Sequence, residues 1–401
     1  MAAPSFLVFS DDWGEHPSSC QHIFRHLARE HQVLWVNTIG MRPPRLTLGD
    51  ARKVVYKAKK MLLGAQKGEK ASAPQNLRLR VYQPPMLPFA ANPLVRKYNK
   101  AVVVRGVRRE LQRAGIDRPI LVSTVPNAGD YVGSCGESRV VYYCVDDFTE
   151  WPGLDHRLVR EMERELIGKA DVFIATSEKL RRRLAAAGKP TCLLTHGVDP
   201  DFFRRRAEGE HALLAHIPRP RVGYFGLFDE RSDLHMLRKV ASALPGISFV
   251  ITGRVEADIS ALRELPNIHC TGPVPYEELP MLVQGWDACF LLYVRSTLTD
   301  AIFPLKLKEY LATGKPVFCT PLPEARALAP FLHLASSAEE WIEGLTGLLF
   351  GERVDSAEGS AARMDFLAGE SWQRKAAIFR EIVTAPAAKI PLYTENGFPV
   401  P

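Results

Sequence analysis

Between Phe303 and Val317 the chain reads FPLKLKEYLATGKPV, which sets two lysines, Lys306 and Lys308, and a carboxylate, Glu309, within one helical turn. Pro304 opens the helix, a Gly314-Lys315-Pro316 turn closes it, and strand-forming Val317, Phe318 and Cys319 follow. In an open α/β sheet the mouth of such a unit lies at the carboxyl edge of the strands, where ligands bind. Cations and backbone N–H groups at a helix start suit phosphate oxygens, and a carboxylate one turn further in suits sugar hydroxyls. Together they point to a nucleotide-sugar site. An architectural reading stands beside it: Pro at the start and Gly at the end are ordinary helix punctuation, and Leu305, Leu307, Tyr310 and Leu311 would be core in any such helix.

The elements that must position these groups alternate along the chain. Strand-like runs are expected at 6–9, 33–36, 120–124, 140–144, 172–175 and 192–194, and again at 221–224, 248–252, 268–270, 288–293 and 317–319. Helical runs lie between them at 19–29, 159–169, 177–187, 234–244, 276–284 and 305–312. Each half therefore builds its own doubly wound, mostly parallel sheet, an α/β architecture. The division is 1–198 for an N-terminal domain, 199–219 for a polar linker with Pro near both ends, and 220–370 for a C-terminal domain; 371–401 adds a helix at 371–383 and a Pro-rich tail.

Length and composition, 401 residues with 46% hydrophobic and 24% charged, are those of a soluble two-domain protein. The longest apolar runs, such as 288–294, are far too short to cross a bilayer, and the N-terminus turns acidic at once, unlike a signal peptide. Seven scattered cysteines with no C-x-x-C pair suggest neither zinc nor disulfides, hence a reducing, cytoplasmic setting. His22 and His26 share a helix face but lack a third ligand, so no metal site is expected. No Walker A loop and no G-x-G-x-x-G fingerprint is present, which leaves NTPase and dehydrogenase readings without support.

Of the net charge of +7, the stretch 42–113 alone supplies +15, with 18 Lys/Arg against Asp50, Glu69 and Glu110. Within it, 50–64 (DARKVVYKAKKMLLG) places apolar residues at helical spacing and fills the rest with Arg52, Lys53, Lys57, Lys59 and Lys60. Such a basic amphipathic helix lies on anionic membranes; the alternative is a helix whose apolar stripe faces the domain core. The block has few interleaved aromatics and no recognisable nucleic-acid module, so no nucleic-acid partner is expected.

The 303–317 segment resembles the signature of the C-terminal domain of GT-B glycosyltransferases, particularly family 4 (glycosyl transferases group 1), and the likeness extends over roughly 6–375. The resemblance implies two Rossmann-like domains with a deep interdomain cleft and a C-terminal helix that crosses back to the first domain. In its terms Glu309 holds the donor ribose and Lys306 faces phosphate. The turn at Gly226 approaches the donor diphosphate, which Arg231 neutralises; Gly253-Arg254 allows a second close approach; Val274 and Tyr276 border the base. The stretch 140–151, with Asp146-Asp147 at a strand end, is similar to bacterial polysaccharide-type members. There the pair stands near the place where other members carry a cleft His. Carboxylates at a strand's carboxyl edge can orient an acceptor hydroxyl or stabilise positive charge at the anomeric carbon; otherwise the pair caps a helix or pairs with an Arg. Many members carry a second Glu eight residues before the ribose Glu, but that position is Ala301 here, beside Asp300.

The implied activity is transfer of a sugar from a nucleotide-diphosphate sugar to a glycan or lipid-linked acceptor, with retention and no metal; the basic segment 50–64 adds the expectation of attachment at the inner face of the plasma membrane. A sugar-nucleotide epimerase of the same fold, or a non-catalytic membrane or polyanion binder, is the rival reading.

Overall fold

A computed structural model describes residues 3–15, 18–37, 76–87, 91–205, 208–351, 357–386 and 390. The basic stretch 50–64, with Arg52, Lys53, Lys57, Lys59 and Lys60, lies outside these residues. The chain divides into two compact units, Met1–Thr195 with Trp372–Pro401, and His196–Ser371.

The first unit holds seven parallel strands: β1 (Phe6–Ser10), β2 (Val33–Asn37), β3 (Leu79–Tyr82), β4 (Ile120–Ser123), β5 (Arg139–Cys144), β6 (Val172–Ala175) and β7 (Thr191–Leu193), in the order β3-β2-β1-β4-β5-β6-β7. The central strands are continuous apolar runs because helices cover both faces of a parallel sheet, and every residue of β1, β2, β4 and β6 is buried. Helices start where short polar side chains accept from exposed N–H groups: Ser18 for Ser19–Leu27, Asn92 for Pro93–Ala114, Asp155 for His156–Lys169 and Ser177 for Glu178–Ala185. Edge strand β3 and the Pro93–Ala114 helix are absent from the sequence reading. The strand alternates basic and apolar residues only weakly, and the 22-residue helix buries just Asn99, Val103, Gly106, Val107 and Leu111.

The helix Trp372–Thr384 belongs to this first unit. Phe379 packs edge-on against Phe24 at 5.7 Å, and Trp372 stacks flat on His22 at 4.5 Å. Arg139 at the start of β5 donates to the carbonyl of Val383 at 2.7 Å. Burial, with Arg25 beside it, pushes the pKa of His22 down to about 4.

The second unit holds six parallel strands: β8 (Arg221–Phe225), β9 (Ser248–Thr252), β10 (Ile268–Gly272), β11 (Ala288–Leu291), β12 (Val317–Cys319) and β13 (His333–Leu334), ordered β10-β9-β8-β11-β12-β13. Strand order reverses between β8 and β11, which makes the carboxyl ends of these two strands the expected ligand edge. Residues 199–219, read from the sequence as a linker, are built into this unit. Phe202, Phe203, Leu214 and Ile217 join its core, and buried Arg221 fastens the segment by donating to the carbonyls of Leu214 and Ile217 and to Glu210. The polar composition that suggests a linker conceals an aromatic pair and a strand arginine that both need partners.

The two ends of the second unit meet. Val198 bridges to Ser371 and donates to the carbonyl of Glu370 at 3.0 Å. Lys308, 1% exposed, reaches this junction from the Leu305–Ala312 helix, pairing with Glu370, 2% exposed, and donating to the carbonyl of His196 at 2.5 Å.

Candidate active site

Three adjacent strands of the second sheet end in glycine with positive φ: Gly226 after β8 (119°), Gly253 after β9 (135°) and Gly272 closing β10 (78°). The Gly226 N–H donates to Thr252 at 2.8 Å and the Gly253 N–H to Gly272 at 2.9 Å, so the turns are laced together. A Cβ at Gly253 would stand 2.0 Å from the Gly226 oxygen, so only glycine fits where these turns touch.

Lys306 lies across Gly226. A Cβ on that glycine would sit 2.2 Å from the lysine Cε and 2.9 Å from Nζ. Its ammonium rests 5.4 Å from the ring centre of Tyr224. Arg231 lies over Tyr293 at 5.7 Å, and both Arg231 and Tyr293 act electrostatically on Tyr224. Two cations therefore flank one pair of tyrosines at the ends of β8 and β11. Arg231 is oriented by buried Asp229, which accepts from Nε at 2.9 Å and from Nη2 at 2.7 Å. Burial opposes the guanidinium charge, but these bonds outweigh it and raise the pKa of Arg231 above the ordinary arginine value.

Glu309, three residues after Lys306 on the same helix, is 6% exposed and accepts from the Tyr276 hydroxyl at 3.3 Å. Burial pushes its pKa up to about 7, against the pull of Lys306 and the Tyr276 bond. Tyr276 is stacked on Phe202, ring centres 4.9 Å apart and planes 4° apart. Val274 is half-buried against the core of the unit, and Arg254 is exposed, 3.9 Å from Glu256. Asp300 is engaged with Arg295 at 2.6 Å, and Ala301 is fully buried.

The geometry thus brings Gly226 against Lys306, Glu309 against Tyr276, and Arg231 onto the tyrosine pair that carries Lys306. Asp146 and Asp147 lie in the first unit, just past β5. Asp147 caps the turn Phe148–Glu150, accepting from the backbone and hydroxyl of Thr149 at 3.2 and 2.6 Å, with Arg183 at 3.9 Å. Arg183 is itself held by two bonds to buried Glu163, at 2.7 and 2.9 Å. Among the described residues, no group of three or more His, Cys, Asp or Glu could hold a metal ion.

The same architecture recurs in solved structures. Anabaena HepE, in complex with UDP and glucose, superposes with a TM-score of 0.65 at 13% identity, covering 96% of this chain and all of that one. A trehalose-6-phosphate synthase, studied for glycosyl transfer with retention, gives 0.59 at 11% identity over 94% of this chain and 98% of its own. The chain has the GT-B fold. Its GT-B likeness also has a counterpart in sequence. A Bacillus subtilis (strain 168) protein named as teichuronic acid biosynthesis glycosyltransferase TuaH is 27% identical over 198 residues, 47% of this chain and 48% of that protein. The match thus spans about half the length of that curated relative. No protein-family profile matches the chain.

In the second unit, Asp229, Tyr224, Tyr293 and Phe202 are not among the site residues expected from the sequence. The Asp-x-Arg spacing of Asp229 and Arg231 carried a signal for the first. Nothing in the spacing links Phe202 to Tyr276, which lie on separate elements.

Proposed function

We propose that this chain is a nucleotide-sugar-dependent glycosyltransferase that moves a sugar onto a glycan or lipid-linked acceptor in cell-surface polysaccharide assembly. The observation that carries the reading is Lys306 laid across Gly226 with Glu309 one turn behind it. That helix offers a cation where backbone can approach closely and a buried carboxylate about one turn away, the spacing of a diphosphate and its ribose. Lys306 and Arg231 stabilise the charge that develops on the diphosphate as the glycosidic bond breaks. These side chains do the work a divalent ion does elsewhere, so a chelator is expected to leave turnover unchanged. The UDP-bound HepE structure and the name of TuaH support donor type and pathway, and the trehalose-6-phosphate synthase likeness supports retention.

Glu309→Gln is expected to weaken nucleotide-sugar binding by about 1.5–3 kcal/mol, the scale for hydrogen bonds to a charged group, with little change in melting temperature. Calorimetry against UDP-, GDP- and ADP-sugars checks this; unaltered affinity for the tightest of them would refute the role.

The acceptor is expected at an anionic membrane surface on the cytoplasmic side, reached by Arg52, Lys53, Lys57, Lys59 and Lys60. No helix among the described residues is long and apolar enough to cross a membrane. Each basic residue near such a surface contributes about 1 kcal/mol, so changing Lys53, Lys57 and Lys60 to Glu should abolish co-sedimentation with anionic vesicles. Equal binding by wild type and variant would remove the membrane from the proposal.

A further inference from the structure

We infer that Tyr276 is a positioning residue for Glu309: its hydroxyl fixes the orientation of that carboxylate and favours its ionised form. The inference rests on the reading of Glu309 as the acceptor of ribose hydroxyl hydrogens and deepens it.

Three observations carry it. The Tyr276 O–H lies 3.3 Å from Glu309 Oε1, and a phenol beside a carboxylate at neutral pH donates to it. The Tyr276 ring is not free to turn. Phe202 covers one face at 4.9 Å with planes 4° apart, and Phe203 meets it edge-on at 6.0 Å. Both phenylalanines are anchored in turn, on a short helix Pro200–Phe203 whose first turn Asp199 caps by accepting from Phe202 N at 3.0 Å. A face filled by Phe202 is closed to a nucleobase, which argues against Tyr276 as a stacking platform on that side.

The charged and titratable groups around Glu309 place Tyr276 in a deciding position. On its own helix Lys306 favours the carboxylate, and the Tyr310 hydroxyl accepts from the Phe225 N–H at 3.0 Å. Lys308 is tied to Glu370 and His196. Arg205 lies over Phe202, and Arg363 donates to the Gly314 carbonyl. Burial disfavours the charged form and sets the pKa of Glu309 near 7. Losing one donor there decides whether the group is a charged acceptor at working pH.

The sign follows directly. A ribose hydroxyl donates more strongly to the ionised carboxylate than to the neutral acid, so donor affinity should rise with pH through about 7 in the wild type. Tyr276→Phe keeps the stack and removes the donor. It should move the midpoint upward by about one pH unit, the scale of one hydrogen bond. Affinity should then fall below wild type at pH 6, by up to about tenfold, and be nearly equal to it at pH 9. The diphosphate diester of a nucleotide sugar keeps both charges across this range, so the midpoint reports the protein.

Two measurements decide it. Carbon-13 NMR of glutamate carboxyls in the ligand-free full chain, with Glu309 assigned by its disappearance in Glu309→Gln, should show the midpoint raised in Tyr276→Phe; an unmoved midpoint overturns the inference. Calorimetry with UDP-glucose, GDP-mannose and ADP-glucose from pH 6 to 9 then tests the consequence for binding. Equal loss of affinity at every pH would mean Tyr276 merely supports the fold, and would overturn the inference. Full affinity in Glu309→Gln would instead sink the ribose-acceptor reading, while the NMR result still decided whether Tyr276 controls Glu309.

Discussion

Alanine at Lys306 is expected to cut turnover by about two to three orders of magnitude, the usual loss when one preorganised charge-stabilising group is removed. Melting temperature should hardly move. The side chain is half-buried, runs over a glycine, and rests its ammonium on the face of Tyr224. Removing it opens no large core cavity. Gly226→Ala offers an independent check, because its Cβ would land 2.2 Å from the lysine Cε and drive the ammonium off its seat. A φ of 119° adds backbone strain to that displacement. The two changes act on one interaction, so the double variant should be scarcely worse than Lys306→Ala alone. Independent, multiplying losses in steady-state kinetics would show that the glycine serves something other than the lysine.

The second large effect is on stability. Lys308→Met should destabilise the second unit by about 3–5 kcal/mol, because it takes a buried lysine away from the Glu370 carboxylate and from the His196 carbonyl. Lys308 sits between Leu307 and Glu309 in sequence, yet it faces the junction of the unit's two ends rather than the ligand edge. Replacing both partners, Lys308→Met with Glu370→Leu, should recover most of the loss, since what costs is a buried carboxylate deprived of this lysine and not the absence of the pair. Urea unfolding of the three variants tests this. A double variant as unstable as the single one would place the effect in packing around Phe303, whose ring lies 4.5 Å from the lysine ammonium.

These two lysines mark how far the sequence could be read. Lys306 and Glu309 were legible because helical periodicity alone puts residues three apart on neighbouring positions. In sequence, Lys308 of the same motif is indistinguishable from the general positive charge of the helix start, because its partner Glu370 lies 62 residues on. The buried strands were visible as apolar runs. Strand β13 escaped because only His333 and Leu334 form it, and both remain partly accessible. For Asp147 the sequence supports both readings: a carboxylate at a strand end is a ready cap, and whether it also meets a substrate depends on groups that spacing does not reveal.

The division of the chain has a consequence for how the molecule is made. The second unit is one continuous stretch, His196–Ser371, whereas the first draws on both ends of the chain. As the polypeptide leaves the ribosome, most residues of the first unit emerge before the second, but Phe379, Ile382 and Val383, all fully buried there, emerge after it. Domains fold as units when their residues become available. Of the two units, the one that begins earlier is therefore completed later, and until then it exposes the apolar surface of Phe24 and Tyr143 that Phe379 will cover. A nascent chain stalled after Ser371 carries a finished second unit beside an open first one, and this is the interval in which a chaperone would have the most to hold.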